Sequence, residues 1–428
     1  MLSRMEHDSI GALNVPAEAY YGVQSMHAAT NFQITHRLLH PVLIDSIVMV
    51  KKAAAITNEK SGKLDQQIAQ AIIQACDEIL DGNLRDQFIV DAIQGGAGTS
   101  ANMNANEVIA NRAIEILGGT KGDYSIVHPN DHVNMSQSTN DVIPTAGKIT
   151  VLKLLPQTIK ELEKLEKAME EKEAEFDDIL KMGRTQLQDA VPMRLGQSFG
   201  AFAHVLKRDI KRLKNVMDEM KVLNIGATAI GTAINVDPYY LANISYELSK
   251  VAGISLKQAD DLIDATQNLD GFVSVSGVLK TCAVDISKIS NDLRLMSSGP
   301  RTGLSEINLP ARQNGSSIMP GKINPVIPEV VSQVAYLIIG HDYTITMAAE
   351  AGQCEEYIEK SVGISTALCP YIGYAKSAEI AKKSLKTGIS VKELVLEEGL
   401  LKEEELKEIL KSEKMTQPMR EKVMKAVS

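Results

Sequence analysis

The sequence predicts a mainly α-helical protein with a central bundle of long helices. The 428-residue chain is 44% hydrophobic, yet it contains no Trp and only 4% aromatic residues. Its apolar residues are therefore chiefly Ala, Val, Ile, Leu and Met, which favour close helix–helix packing over an aromatic-rich β-sandwich. Several long stretches also repeat apolar positions three and four residues apart, as one face of a helix does. A chain of this length can form two or three packed units.

The first 118 residues predict an irregular arm followed by helices. Residues 1–40 are mixed in character and punctuated, as in NVPAEAYYGVQ, and they indicate no regular element. Three helical stretches follow between residues 41 and 118, and LDQQIAQAIIQACDEIL at 64–80 is clearly amphipathic. The third stretch is preceded by QGGAGTSANMNANE, which is rich in Gly and small polar residues.

Four longer helical stretches dominate the middle of the chain. Residues 145–176 place Ile and Leu three and four apart with Glu/Lys pairs outside, and we expect Pro156 to kink this helix or lie near its start. The pattern recurs at 193–222, 269–297 and 322–350. Helices of this length exceed the usual globular range and predict an elongated bundle. A coiled coil is the alternative, but the apolar positions keep no strict heptad and small residues are frequent, which favours a globular bundle.

The last part of the chain predicts short helices, among them YAKSAEIAKKSLKTG, SVKELVLEEGL and KEEELKEIL. No low-complexity linker or short internal repeat separates the parts. The sequence therefore predicts three domains: an N-terminal helical domain at 1–138, a central long-helix bundle at 139–353 and a small C-terminal helical domain at 354–428.

Charge and composition exclude several classes of protein. The formal net charge of −9, without a basic stripe, argues against nucleic-acid binding. No apolar run approaches transmembrane length, and MLSRMEHDSIG lacks the apolar core of a signal peptide, so we expect neither membrane association nor export. The scattered cysteines predict reduced, small buried side chains in a cytoplasmic protein rather than disulfides; they are Cys76, Cys282, Cys354 and Cys369.

Three polar clusters are predicted to precede helices. They are GGAGTSANMNAN at 95–106, HPNDHVNMSQSTND at 128–141 and KMGRTQLQDAVP at 181–192. Helix N-termini offer free N–H groups and a positive dipole end, and Ser, Thr and Asn add side-chain donors. Such clusters suit carboxylate or phosphate recognition, although any one of them can be ordinary helix capping. The three together, and the dense run Ser138, Thr139, Asn140, favour anion recognition.

A fourth segment, GSSIMPGKINP at 315–325, predicts a loop because its Gly and Pro residues interrupt both helical and strand periodicity. It carries two hydroxyls, at Ser316 and Ser317, and one cation, at Lys322. The chain contains no H-E-x-x-H, no Cys/His metal spacing, no G-x-S-x-G and no P-loop. GGAGTS follows no clear strand, so a dinucleotide fingerprint is not indicated, and we expect no metal site and no cofactor. Activation by a divalent cation cannot be read from these residues.

Four blocks together resemble the aspartase/fumarase superfamily: GSSIMPGKINPVIPE, HVNMSQSTND, GGAGTS and GRTQLQDAVP. The similarity runs from YYGVQ near the N-terminus beyond IGY at 372–374 and so covers nearly the whole chain. It implies a three-domain, mainly α-helical subunit whose long helices pack with those of three other copies into one bundle. The resemblance also implies a homotetramer with active sites that combine blocks from different subunits.

The resemblance is greatest to the branch that reversibly eliminates ammonia from L-aspartate to give fumarate. Gln186 stands where fumarases and some members of this branch have His, while other members of the branch also have Gln, and YYGVQ and GATAIGTAIN agree with this branch. A Gln can donate to a carboxylate but cannot shuttle a proton, which excludes a His-dependent mechanism for this chain.

Removal of a proton next to a carboxylate creates a dianionic aci-carboxylate, which requires several preorganised donors. The resemblance assigns a role to each matching residue. The general base is Ser316, and Ser317 lines the closed loop. The donors to the aci-carboxylate are Thr99, Ser138, Thr139, Thr185 and Gln186. The residues that orient or neutralise the other carboxylate and the amino group are Asn140, Lys322 and Asn324.

The chain departs from the family pattern at two places. His27 stands where relatives usually carry Arg. After EAGQ at 350–353, relatives continue through a further long bundle helix, whereas here Gln353 runs directly into Cys354. Loss of such a helix would expose the inner faces of the remaining ones. Three interpretations stay open: an active aspartate lyase with a rearranged junction, a paralogue that binds dicarboxylates without turnover, and a fumarase.

Overall fold

The computed structural model describes residues 2–351, 362–387, 389–411 and 415. In these residues the chain is largely helical, with three small two-stranded sheets. The helices are α1 (Val23–Asn31), α2 (Pro41–Lys60), α3 (Gln66–Leu80), α4 (Thr99–Ile116), α5 (Thr139–Glu175), α6 (Leu195–Met220), α7 (Pro238–Ala252), α8 (Leu262–Gln267), α9 (Asp270–Met296), α10 (Val326–Glu350), α11 (Cys369–Ile372), α12 (Tyr374–Thr387), α13 (Val391–Glu397) and α14 (Glu403–Ile409). The strands are β1 (Ser3–His7), β2 (Ala12–Pro16), β3 (Leu180–Thr185), β4 (Gln188–Arg194), β5 (Val222–Leu223) and β6 (Lys257–Gln258). No helix of the described part is both long and apolar enough to cross a membrane.

The chain forms two compact units. The first unit comprises Met1–Thr150, Lys221–Asn268 and Gly352–Ser428, and the second unit comprises Val151–Met220 and Leu269–Ala351. The three-domain division at 138 and 353 stays a prediction.

The first unit is built around α4, which is buried on nearly all sides. The amide of its buried Asn104 is fully paired: it accepts a hydrogen bond from the N–H of Ile89 at 2.9 Å and donates to the carbonyl of Gln87 at 3.0 Å. Such pairing removes the free-energy cost of burying an amide. The last helices of this unit pack around a separate cluster of fully buried side chains, Leu368, Ile380, Leu394 and Leu406.

The second unit contains most of α5 together with α6, α9 and α10, and its helix bounds confirm the sequence prediction closely. The predicted 145–176, 193–222, 269–297 and 322–350 correspond to α5, α6, α9 and α10. Pro156 lies well inside α5, so the prediction that it could stand near the helix start is wrong. The pair α9 and α10 is linked by Asp342, which accepts from Ser276 Oγ at 2.8 Å and from Lys280 Nζ at 2.6 Å.

The prediction of an irregular arm over residues 1–40 is wrong. Strand β1 pairs with β2 as an antiparallel hairpin, and α1 follows. Asp8 closes the connection between the strands because its Oδ1 accepts from the N–H groups of Ile10 at 2.7 Å and Gly11 at 3.0 Å. The guanidinium of Arg4 then donates to the carbonyl of Ala19 at 2.7 Å. These polar contacts hold the arm in place together with the buried apolar cluster of Val15, Ala19 and Val23.

The cysteine prediction is confirmed where the structure describes it. Cys76 and Cys282 are buried free thiols, and Cys369 is a partly buried one. Cys354 and Gln353 lie outside the described residues, and so does the junction at which the sequence predicts that a helix is missing.

Candidate functional site

The cluster around Thr99 lies at the N-terminus of α4, as predicted. Gly96, Ala97 and Gly98 have φ values of 87°, 49° and 88°, so three consecutive residues adopt the left-handed region before the helix begins. A Cβ at position 98 would lie 2.9 Å from Cγ1 of Ile143, which adds a steric need for Gly there. The hydroxyl of Thr99 is exposed and donates to the carbonyl of Gly96 at 2.8 Å. The cluster thus presents a hydroxyl and a helix N-terminus to solvent.

The run from residue 138 to 140 lies at the start of α5, which also confirms the prediction. Ser138 Oγ accepts from the N–H of Asn140 at 3.3 Å, as a capping residue does. Thr139 Oγ1 accepts from Nδ2 of Asn102, on α4, at 3.3 Å. Asn140 donates from its Nδ2 to the carbonyl of Ala229 at 2.7 Å. The Asn102 bond brings the Thr99 and Thr139 clusters together in the first unit, since Asn102 lies one turn after Thr99.

A buried lysine supports this run from below. Lys51, in α2, is fully buried, and its Nζ donates to Asn134 Oδ1 at 2.8 Å and to Gln137 Oε1 at 3.0 Å. Burial lowers the pKa of Lys51 to about 7, although the charge of Asp141 acts in the opposite direction. Through these two hydrogen bonds, the segment just before Ser138 is connected to α2.

Asp141 fixes the same run from the other side. Its Oδ1 accepts from the N–H of Ser138 at 2.9 Å, and its Oδ2 accepts from the N–H groups of Gly226 at 3.1 Å and Thr228 at 3.0 Å. Burial raises the pKa of Asp141 to about 6, although these N–H donors and the charge of Lys51 act to lower it. The sequence reasoning missed both Lys51 and Asp141 as supports of the site. One sequence feature could have indicated that Lys51 is buried. It belongs to the pair KK at 51–52, which lies between the apolar segment VMV and the small-residue segment AAA.

Thr185 and Gln186 do not directly precede a helix, so that part of the cluster prediction is wrong. They occupy the tip of the hairpin formed by β3 and β4, in which Thr185 pairs with Gln188. The two turn residues, Gln186 and Leu187, have φ values of 53° and 63°. A two-residue turn with both φ values positive favours Asn or Gly, and strained residues of this kind cost about 1–3 kcal/mol each and cluster at functional sites. The tip therefore holds Gln186 exposed in a strained, defined conformation.

The predicted loop at 315–325 is confirmed, and its two ends are joined. Asn314 and Ile323 form an isolated antiparallel bridge, and the N–H of Gly315 donates to the carbonyl of Lys322 at 2.8 Å. Asn324 Nδ2 donates to the carbonyl of Gly315 at 2.9 Å. A Cβ at position 315 would lie 2.7 Å from the backbone N of Asn324, so only Gly fits there.

Ser316 has a distinctive environment within this loop. Its Oγ accepts hydrogen bonds from the backbone N–H groups of Ile318 at 3.2 Å and Met319 at 3.0 Å. Two N–H groups directed at one hydroxyl oxygen stabilise the oxyanion form of that oxygen. Ser317 and Lys322 are exposed on the same loop. The second unit thus holds the hairpin donors and the loop base, and the first unit holds the Thr99 and Ser138 clusters.

Within the described ranges, no group of three or more His, Cys, Asp and Glu side chains is arranged as a metal site would require. His27, at the first departure from the family pattern, has its Nε2 3.7 Å from Asp8 Oδ2.

Known proteins match nearly the whole chain. A family model described as Lyase matches residues 11–340, and one described as Fumarase C C-terminus matches residues 364–417. A curated aspartate ammonia-lyase from Bacillus sp is 49% identical over 457 aligned positions, covering 97% of this chain and 98% of the relative. A fumarate lyase:delta crystallin structure from Brucella melitensis has a TM-score of 0.81 at 47% identity, covering 96% of this chain and 98% of that one. A class II fumarase from Schistosoma mansoni has a TM-score of 0.79 at only 32% identity, with the same coverage.

The alignment to the Bacillus relative also bears on the absent helix. It spans 457 positions, whereas 97% of the 428 residues is about 415, so roughly 40 positions of the alignment have no residue of this chain. A stretch of this length is sufficient for a long bundle helix, and its location after Gln353 stays a prediction. Each predicted site residue lies in the described part of the chain and outside that junction.

Proposed function

This chain belongs to the lyase family, in the aspartase/fumarase superfamily that its sequence resembles, and on that premise we propose that it eliminates ammonia from L-aspartate with Ser316 as the base. It is a carbon–nitrogen lyase by its kinship with curated aspartate ammonia-lyases, and 49% identity to the Bacillus enzyme against 32% to a class II fumarase favours aspartate over malate as substrate. The observation that carries the mechanism is the pair of N–H groups directed at the Ser316 oxygen.

The first step is removal of the Cβ proton by Ser316. A serine in water is a weak base, but the N–H groups of Ile318 and Met319, at 3.2 and 3.0 Å, favour its oxyanion. The C–H electron pair passes into the adjacent carboxyl group, which becomes a dianionic aci-carboxylate. The cation of Lys322 on the same loop adds to the stabilisation of negative charge when the loop closes over the substrate.

The aci-carboxylate is stabilised by several hydrogen-bond donors. In this proposal they are Thr99, Ser138, Thr139, Thr185 and Gln186. Thr99 lies at the N-terminus of α4, whose dipole favours an anion. Gln186 is held at a strained turn, so its backbone is already fixed at the hairpin tip before substrate binds.

In the second step the electron pair held in the aci-carboxylate forms the Cα=Cβ double bond of fumarate, while the C–N bond breaks and its electron pair leaves with ammonia. Asn140 and Asn324 each donate their Nδ2 to a backbone carbonyl, of Ala229 and Gly315 respectively. This leaves the two amide oxygens to accept hydrogen bonds from the substrate ammonium. Ser317 lines the closed loop. We propose that hydroxyl, amide, backbone N–H and ammonium groups of the protein perform the reaction without a bound cofactor. We also propose that the protein acts in the cytoplasm.

We also propose that the chain acts as a homotetramer. Support comes from α10, which exposes a stripe of large apolar side chains: Ile327, Val330, Val334 and Leu337, between 46% and 58% exposed. Their spacing of three, four and three residues is that of a helix–helix seam. An exposed apolar stripe of this kind marks an interface. By the resemblance, the active site would then combine blocks from different subunits.

One observation favours a second candidate, a paralogue that binds dicarboxylates without turnover: the roughly 40 absent alignment positions. The deciding experiment follows fumarate absorbance with L-aspartate, and separately with fumarate and water alone. We expect fumarate from L-aspartate and no hydration. Ser316→Ala should lower kcat by about a hundred- to ten-thousandfold, as loss of a general base does, whereas Ser317→Ala retains most of the activity. Full activity in Ser316→Ala would exclude this base, and binding of fumarate without any turnover would favour the paralogue.

A further inference from the structure

We infer that Glu306 is a positioning residue for substrate binding, because it anchors the hairpin that carries Thr185 and Gln186. The inference rests on the proposed function, and it concerns a residue that touches no proposed substrate position. Glu306 acts through the ion pairs that it makes with Lys181 and Arg184.

The hairpin needs an external anchor. Most residues of β3 and β4 are exposed, among them Leu180 and Val191 at 76% and 67%, and the turn residue Leu187 is 70% exposed. An isolated two-stranded hairpin is at best marginally stable in water. This one also contains a register shift between Met182 and Arg184 and the strained turn after Thr185. Its own contacts therefore do not explain a defined position for the tip.

Glu306 supplies an anchor close to that tip. Its Oε1 accepts from Nη1 of Arg184 at 2.6 Å, and its Oε2 lies 3.2 Å from Nζ of Lys181. The side chain of Glu306 is only 14% exposed, that of Arg184 22% and that of Lys181 13%. Solvent therefore screens these ion pairs less than it screens pairs on the surface. Burial acts to raise the pKa of Glu306, but the hydrogen bonds from Arg184 and Lys181 outweigh it, and the pKa is lowered from its ordinary value.

The anchor is itself fixed to a long helix. The N–H of Glu306 donates to the carbonyl of Met296, the last residue of α9, at 2.8 Å. The N–H of Ser305 donates to the carbonyl of Ser298 at 2.9 Å. A continuous chain of contacts thus leads from α9 through Glu306 to Arg184, which is next to Thr185 and two residues from Gln186. Because a displacement of about 1 Å in a binding group can cost a hundredfold in activity, this chain controls how well the tip meets the substrate.

The test compares Glu306→Gln, Arg184→Gln and their double variant. We expect each single variant to raise the KM for L-aspartate and the inhibition constant of succinate, a saturated dicarboxylate, about tenfold. The double variant should be no worse than the worse single one, since both break the same contact. Glu306→Asp keeps the charge on a shorter side chain and should give an intermediate rise of about threefold.

Arg194→Gln is the matched control. Arg194 ends β4 of the same hairpin and pairs with Asp177 at 2.9 Å, but both side chains are about half exposed. We expect its KM and succinate constant to stay within twofold of the parent values. Unfolding midpoints in urea, measured on all variants, separate positioning from loss of folded protein.

Three results would overturn the inference. One is an unchanged KM and succinate constant in both Glu306→Gln and Glu306→Asp. Another is a loss of binding that is fully explained by the fraction of unfolded protein in the variant. The third is that the effects of the two single substitutions add up in the double variant. Failure of the proposed function is recognised separately by the absence of fumarate formation. Succinate binding measured by calorimetry requires no turnover, so it reports on the position of the hairpin even in a chain that makes no fumarate.

Discussion

Lys51 Nζ donates a hydrogen bond to Asn134 Oδ1 at 2.8 Å in the interior of the first unit. A fully buried ammonium is compatible with folding only when its charge and donors are compensated, and here Gln137 and Asp141 complete the compensation. The segment that this pair fixes runs directly into Ser138 and Thr139. The buried lysine is therefore expected to serve both stability and substrate binding.

Replacement of Lys51 by Met should lower the free energy of unfolding by about 3 kcal/mol, because it removes the buried donor that Asn134 and Gln137 accept from. It should also raise the KM for L-aspartate, since the Ser138 run loses its support. Urea unfolding and steady-state kinetics measure the two effects. Lys52→Met is the control: Lys52 is adjacent in α2 but pairs with the half-exposed Asp77. Equal effects of the two substitutions would contradict the importance of burial.

Glu107 predicts a pH dependence of stability. Its carboxylate, 1% exposed, accepts from the N–H groups of Gly22 at 2.9 Å and Gln24 at 2.9 Å and so caps α1. Burial raises the pKa of Glu107 to about 7 from 4.5, although the donors of Ser25, Gln24 and Gly22 act to lower it. The folded protein thus keeps a proton that the unfolded chain has lost, so this stabilisation is complete below pH 4.5 and is lost as the pH rises to about 7.

Comparison with Glu107→Gln isolates this effect. Between pH 4.5 and 7.5 the parent should lose about 3 kcal/mol more unfolding free energy than the variant, which follows from a pKa difference of about 2.5. Urea unfolding at several pH values measures it. Parallel pH profiles of parent and variant would show that Glu107 does not titrate in this range.

The strained turn at the hairpin tip predicts opposite effects of two substitutions. Leu187 has a φ of 63° and is 70% exposed, so its side chain gains little from packing. Leu187→Asn should raise the unfolding free energy by about 1 kcal/mol, because Asn tolerates the left-handed region, and Leu187→Val should lower it by about 1 kcal/mol, because a β-branched residue does not. Equal stabilities of the two variants in urea unfolding would contradict the strain.

The long helices could be predicted from the sequence because each buries a stripe against its neighbours. The predicted 269–297 and the observed α9 differ by one residue at each end. The hairpin of β3 and β4 could not be predicted in this way, since neither strand has a buried face that would give a period of two. Local turn chemistry was no better a guide, because Gln186 and Leu187 are atypical of a turn with positive φ.

The polar residues of the site could be recognised from four sequence blocks, but their supports could not. Lys51 and Lys52 are neighbours in one KK pair, yet only Lys51 is buried. Glu306 lies in a segment without periodicity, and its partners stand more than 120 residues earlier in the chain. Long-range contacts of this kind are set by the packed fold and leave no local pattern in a single sequence.

The apolar stripe of α10 predicts that assembly depends on it. Val334 and Leu337 are 50% and 58% exposed, and the double variant Val334→Glu/Leu337→Glu places two charges on the seam. A buried unpaired charge at an interface is strongly unfavourable, so the variant should dissociate the tetramer. Light scattering after size exclusion measures the mass, with Leu385→Glu as the control because Leu385, on α12, is 72% exposed and apart from the stripe. We expect activity to be lost together with assembly, since the resemblance implies active sites built from several subunits. A parent protein that runs as a single chain, or a double variant that remains a tetramer, would contradict the role of this stripe.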